Sequence, residues 1–271
     1  VIRLEGVHAG YGPAEVLRGI DLTFASGEMV GLLGPNGSGK TTLVKVMSGA
    51  LSPRAGRVEL EGRPLAHFSP RQRARRLAVV PQRFEPSAEL TAGELVLHGR
   101  YPYLSFFGAY ASTDHEAAQK AMKATATVPF AHRPLTALSG GEVKRVLVAR
   151  ALAQATPALI LDEAVSELDL ARSVEICELL ACLNSGGRLV IMALHDVNLA
   201  ALFCRRLVFI KNGRVAVDGP TAEVFTATIL SDIYDTDIIV TRHPVLDVPQ
   251  AHLLPRAARA RARTACRSSL G

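Results

Sequence analysis

One run of eight residues, Gly34-Pro35-Asn36-Gly37-Ser38-Gly39-Lys40-Thr41, constrains this chain more than any other feature. It fits GxxxxGK[ST] and stands between a compact apolar run, residues 28–33, and a helical stretch from about residue 39 to 51. Small residues let successive N–H groups turn inward as an anion nest. The helix start adds the positive end of its dipole, equivalent to about half a charge. In that setting Lys40 reaches the β- and γ-phosphates of a nucleotide, and the Thr41 hydroxyl ligates Mg²⁺. A glycine-rich turn could serve packing alone, but lysine, threonine and both flanking elements together argue for a nucleoside triphosphate.

The rest of the chain alternates strands with helices, which predicts an α/β fold. Strands are expected over 1–6, 17–24, 28–33 and 56–61, with a turn at Gly62. The run 28–33 suits a strand covered on both faces of a parallel sheet. Residues 90–137 have a different texture, with helical segments at 94–99 and 114–125. After Ser139 the alternation returns: helix 140–154, strand 158–161, helix 170–184, strand 188–194 and helix 197–204. Strand 206–210 then turns at Asn212-Gly213 into 214–218, and a closing helix spans 221–233. The expected fold is a P-loop NTPase core with a mainly parallel sheet, an antiparallel β subdomain and an inserted α-helical subdomain.

Composition narrows the class. The chain has 271 residues, 48% hydrophobic and 21% charged, the balance of a protein with a sizeable core rather than a disordered chain. No stretch reaches the roughly 18 to 20 apolar residues of a membrane-spanning helix, and VIRLEGVHAGYG lacks a secretory signal's apolar run. The chain is therefore expected to stay in the cytosol. Net charge is +6, but Arg256, Arg259, Arg261, Arg263 and Arg267 all lie in the last stretch; without these five, 26 basic residues face 25 acidic ones. A nucleic-acid partner would need a basic face on the folded body, so none is expected. Residues 246–271 read as a basic, poorly ordered tail. Cys177, Cys182, Cys204 and Cys266 form no CxxC pair and no metal spacing.

Two further constellations carry chemistry. The apolar strand Ala158 to Leu161 delivers Asp162 and Glu163 at its carboxyl end, where α/β sheets bind ligands. Asp162 suits Mg²⁺ through its water shell, opposite Thr41, and Glu163 remains to orient or deprotonate the attacking water. Twenty positions before Asp162, Leu138-Ser139-Gly140-Gly141-Glu142 opens another helix and makes a second anion-binding terminus. One chain then has two phosphate-binding helix starts and one nucleotide pocket. The simplest arrangement is two copies meeting head to tail, each closing the other's site.

With these motifs the sequence resembles the ATP-binding subunits of ABC transporters over about residues 1–245, with a helical subdomain at about 86–138. The resemblance implies ATP and Mg²⁺ as ligands. It makes Gly34 to Thr42 nucleotide-binding, Thr42 included, together with Ser139, Gly140, Gly141 and Glu142 of the partner copy. Tyr11, 23 residues before Gly34, is similar to the aromatic residue that stacks on adenine. Gln82, in Val79-Val80-Pro81-Gln82, resembles the glutamine that touches Mg²⁺ and senses the membrane partner. Ser166-Glu167-Leu168-Asp169 resembles the loop through which the copies communicate, and His195 the switch histidine at the γ-phosphate. Lys40, Gln82, Glu163 and His195 are thus the implied catalytic residues, and Thr41, Gln82 and Asp162 the implied metal ligands.

Some positions depart from the family pattern. Glu142 stands where glutamine is commonest, Ala164 and Val165 replace proline and threonine, Glu167 replaces an uncharged residue, and Val143 and Lys144 stand where glutamine is frequent. None removes a charged catalytic group. Leu97-His98-Gly99-Arg100-Tyr101-Pro102-Tyr103 through Phe107-Gly108, His195 to Ala200 and the stretch 238–244 are similar to importers of iron–siderophore, haem and cobalamin. That likeness implies a separate permease, a substrate-binding protein outside the membrane, and a peripheral place on the cytoplasmic face of the inner membrane. The rivals are a soluble ABC ATPase of translation or repair, and a module that holds ATP without hydrolysing it. Such soluble ATPases usually carry two cassettes or a long coiled coil; this chain has one cassette and no sustained heptads. The intact Glu163 and His195 count against the silent module. A nucleotide kinase leaves Ser139 to Glu142 unexplained.

Overall fold

The computed structural model describes residues 2–86, 89–105, 108–165 and 168–255. Val1, Phe107, Ser166, Glu167, Cys266 and the five tail arginines fall outside the described residues.

The chain opens with an antiparallel pair, β1 (Ile2–Tyr11) and β2 (Ala14–Phe24), both longer than expected. β3 (Met29–Leu33) leads into α1 (Lys40–Ser48). β4 (Ala55–Leu60) and the short β5 (Arg63–Pro64) return to pair beside β1. α2 (Pro70–Ala74), capped by Ser69, and β6 (Leu77–Val80) follow; neither is among the elements expected from sequence. The helical stretch holds α3 (Ala92–Leu97) and α4 (Ser112–Ala124), and then come α5 (Gly140–Ala153), β7 (Ala158–Asp162) and α6 (Leu170–Ser185). β8 (Leu189–Ala193), α7 (Val197–Phe203) and the hairpin of β9 (Arg206–Lys211) with β10 (Arg214–Pro220) continue the alternation.

Two expectations are corrected near the end of the chain. The single closing helix is two, α8 (Thr221–Val224) and α9 (Ala227–Tyr234). Phe225 leaves helical backbone to enter the core, and the Thr226 hydroxyl caps the Ile229 N–H at 3.3 Å. A cap needs non-helical backbone at its own residue, so the helix restarts there. The body also extends beyond residue 245: β11 (Ile238–Arg242) pairs antiparallel with β12 (Pro249–Leu253), a strand expected to lie in the tail.

The central sheet runs β10-β9-β3-β8-β7-β6, parallel from β9 to β6. Its inner strands alternate strictly between two cores. Met29, Leu159, Leu161, Val190, Met192 and Phe209 face the helices of the carboxyl-terminal half. Val30, Leu32, Ile160, Ile191 and Val208 face α1 and the antiparallel sheet β2-β1-β4-β5. Burial on both faces explains why these strands read as continuous apolar runs. It also leaves the strand ends as the places where polar chemistry can stand.

Candidate nucleotide site

Four neighbouring parallel strands, β3, β8, β7 and β6, end at one edge of the sheet. Each is followed by a residue singled out in the sequence: the phosphate loop after β3, His195 after β8, Asp162-Glu163 at the end of β7, and Gln82 after β6. Parallel pairing thus converts four separate motifs into one cluster.

The phosphate loop is held by its glycines. Gly34 has φ 142°, and a Cβ there would lie 2.0 Å from the Ile210 carbonyl oxygen. Gly39, the residue before α1, has φ 111°. Only glycine takes both conformations without strain. The Lys40 ammonium is buried and donates to the Gly34 and Pro35 carbonyls at 2.8 and 3.1 Å. Burial pushes its pKa down, opposed by the charges of Glu163 and Asp162. Ser38 Oγ is buried with no hydrogen-bond partner. A cation resting on neutral carbonyls and an orphaned hydroxyl are what a loop made for an anion presents.

Beside the loop, the Thr41 hydroxyl lies 3.2 Å from Asp162 Oδ1 and 3.4 Å from Gln82 Oε1. Asp162 is nearly inaccessible, and burial pushes its pKa up; the Thr41 hydroxyl opposes that shift and the Glu163 charge adds to it. Glu163 is engaged on both oxygens, Oε2 by the Gln82 carboxamide N–H and Oε1 by His195 Nε2 at 2.6 Å. Its backbone lies in the left-handed region, φ 53°, uncommon for a non-glycine residue. A cleft of about 490 Å³ is lined by Val16, Asn36 to Thr42, Gln82, Glu163 and His195. Val16, on β2, is a lining residue with no motif to reveal it.

The cleft suits a triphosphate with Mg²⁺. Thr41, Gln82 and Asp162 offer three hard oxygens at one point, the donor type this ion takes. Among the described residues no group of three or more His, Cys, Asp or Glu converges to hold a metal. An ion here therefore needs oxygens from elsewhere, and phosphates and waters are its usual supply.

The remaining candidates stand apart. Tyr11, half exposed at the end of β1, has the Lys45 ammonium of α1 5.3 Å from its ring centre and does not line the cleft. Ser139 caps α5: its hydroxyl accepts from Glu142 N–H at 3.3 Å, and its own N–H donates to Glu142 Oε2 at 2.8 Å. That N–H bond is the main reason the Glu142 carboxyl is held below its ordinary range. Asp169 caps α6 through Arg172 N–H at 2.9 Å. None of Ser139, Gly140, Gly141, Glu142 and Asp169 lines the cleft of their own chain. Leu170, beside Asp169, is 85% exposed.

Comparison with known proteins identifies the family. The family model described as ABC transporter matches residues 17–166. The hemin import ATP-binding protein HmuV of Nocardia farcinica is 43% identical, the match covering 87% of this chain and 82% of that protein. The iron(3+)-hydroxamate import ATP-binding protein FhuC of Bacillus subtilis is 37% identical over 90% of this chain and 91% of its own. A dimeric, post-hydrolysis structure of the ATP-binding cassette MJ0796 with ADP and Pi superposes with TM-score 0.74 at 28% identity, covering 81% of this chain and 98% of that one.

Proposed function

The chain belongs to the ABC transporter family and is an ATPase of it; from that premise we propose that it powers uptake of an iron chelate, haem or cobalamin through a separate membrane permease. Relatives named for hemin, iron-hydroxamate and cobalamin import support that cargo class. A substrate-binding protein would deliver the cargo, and the subunit would sit peripherally on the cytoplasmic face of the inner membrane. Among the described residues no helix is long and apolar enough to cross a membrane. The observation that carries the reading is the convergence of Lys40, Thr41, Gln82, Asp162, Glu163 and His195, with Ser139 to Gly141 held outside it.

In the proposed cycle the loop amides of Gly34 to Thr42 and the Lys40 ammonium hold the phosphates of ATP, and Tyr11 stacks on adenine. Mg²⁺ held by Thr41, Gln82 and Asp162 would neutralise charge on the β- and γ-phosphates. Ser139, Gly140, Gly141 and Glu142 of a second copy close over the γ-phosphate, with Asp169 at the contact between copies. Each nucleotide then stabilises the closed pair through contacts that the open state lacks. Gln82 and His195 each take one lone pair of the Glu163 carboxylate, which weakens it as a base toward water. Turning His195 toward the γ-phosphate would remove its competition at Oε1 and favour Glu163 orienting and deprotonating the attacking water. Loss of the γ-phosphate removes the clamp.

Glu163→Gln tests this. Filter binding should show ATP retained, turnover should fall by at least about 10²-fold, and size-exclusion with ATP should show a stable dimer. Undiminished turnover would remove Glu163 from its role.

A further inference from the structure

Gln82 is gripped from two directions. Its carboxamide bridges Thr41 Oγ1 and Glu163 Oε2, so the side chain belongs to the nucleotide cleft. Its main-chain carbonyl accepts a hydrogen bond from the Lys144 ammonium. Lys144 lies in the first turns of α5, the helix opened by Ser139, and is buried, 5% exposed. We propose that Lys144 is a positioning residue for hydrolysis: by holding the Gln82 carbonyl it sets where the Gln82 carboxamide meets Glu163.

The physical case rests on the loop that Lys144 holds. Gln82 lies two residues beyond β6, where the ladder with β7 has ended, so the sheet no longer fixes its peptide. A charge-assisted bond to that carbonyl is roughly twice as strong as a neutral one and replaces the missing ladder contact. A buried ammonium must also be satisfied by acceptors, so the lysine cannot swing away at no cost. The bond therefore has a direction: α5 fixes Lys144, Lys144 fixes the Gln82 peptide, and the peptide fixes a side chain in contact with Glu163. It joins the helix that presents Ser139 to the cleft in the same chain.

This inference rests on the ATPase reading of the cleft, and its test separates the two. Steady-state Mg·ATP hydrolysis, with kcat and KM resolved, is measured on the full chain as wild type, Lys144→Met and Lys144→Gln. Amide exchange over residues 82–85 is followed without nucleotide. Lys144→Met should lower kcat about tenfold with KM within about twofold, and quicken exchange over 82–85 by about tenfold, the scale of one lost charged hydrogen bond. Lys144→Gln, which keeps a donor, should recover at least half of kcat. Unchanged kcat in Lys144→Met overturns the proposal, as does a stably folded Lys144→Gln that is equally slow. If Lys144→Met does not fold, Lys144→Ser takes its place with the same expectations. A wild type that hydrolyses no ATP strikes the ATPase reading instead, and the exchange comparison alone then decides whether Lys144 holds Gln82.

Discussion

Asp162 is where binding and stability pull against each other at the scale of a residue. Its carboxyl is buried, which raises its pKa, so the folded chain favours the neutral form more than the unfolded chain does. The stability this group contributes is fully present below the ordinary carboxylate range and is lost as pH rises through the raised value. At neutral pH the nucleotide-free protein therefore carries a penalty, partly offset by Thr41, Lys40 and Lys45, that a bound cation would relieve. Asparagine mimics the protonated acid at every pH. Asp162→Asn should melt above wild type near neutrality without ligand, and the gap should close as the buffer is taken into the acid range. With Mg²⁺ and a non-hydrolysable nucleotide the order should invert, because asparagine is the poorer metal ligand. Scanning calorimetry at several pH values reads all three, and a variant less stable than wild type in neutral, ligand-free buffer refutes the sign. Asp162 and Glu163 were legible because an apolar strand ended in two acids. Lys144 was not, because its partner lies 62 residues away and no local pattern marks the contact.

At the scale of an element, α5 shows how one cap can serve two ends. The Ser139–Glu142 box satisfies two of the amides that a helix start leaves unpaired. Glu142→Ala should cost about 1 kcal/mol in chemical denaturation. Glu142→Gln keeps an acceptor but loses the charge, so at pH 7 it should lie below wild type by less than Glu142→Ala does, and its gap to wild type should close in acid. The folded-state carboxyl of Glu142 is held low, so its contribution is present above the ordinary carboxylate value and is lost as pH falls through the lowered one. The glutamine variant has nothing to protonate and should show a flatter acid limb. Elements were readable where burial imposes a pattern: β3, β7 and β8 are apolar on both faces and were placed within a residue or two. They were misread where tertiary demand overrides local pattern. Phe225 breaks a helical run to reach the core, and β12 exists through pairing with β11 and a two-way bond between Asn198 and the Ala251 peptide.

For the whole molecule, the question is why a chain should build two glycine-rich helix starts and bring only one to its cleft. Lys40 and Thr41 line the cleft; Ser139, Gly140 and Gly141 do not, and exposed Leu170 sits beside the Asp169 cap. Two-fold symmetry would resolve this: if the Ser139 segment of one copy meets the Lys40 loop of the other, the converse contact follows, and two composite sites form together. That geometry makes a prediction about mixtures which a single-chain site cannot imitate. Lys40→Met disables the loop half of a site, and Ser139→Arg disables the covering half. Alone, each variant should be inactive, since every site in its dimers lacks one half. Mixed in equal amounts with exchange of protomers, about half the dimers contain one of each. In such a pair one site combines both lesions and the other combines both intact halves. Hydrolysis should return to about a quarter of the wild-type rate per protomer. Recovery that depends on mixing, and vanishes when protomers are cross-linked before they meet, fits only a shared site; a mixture as silent as its components points to a pocket completed within one chain.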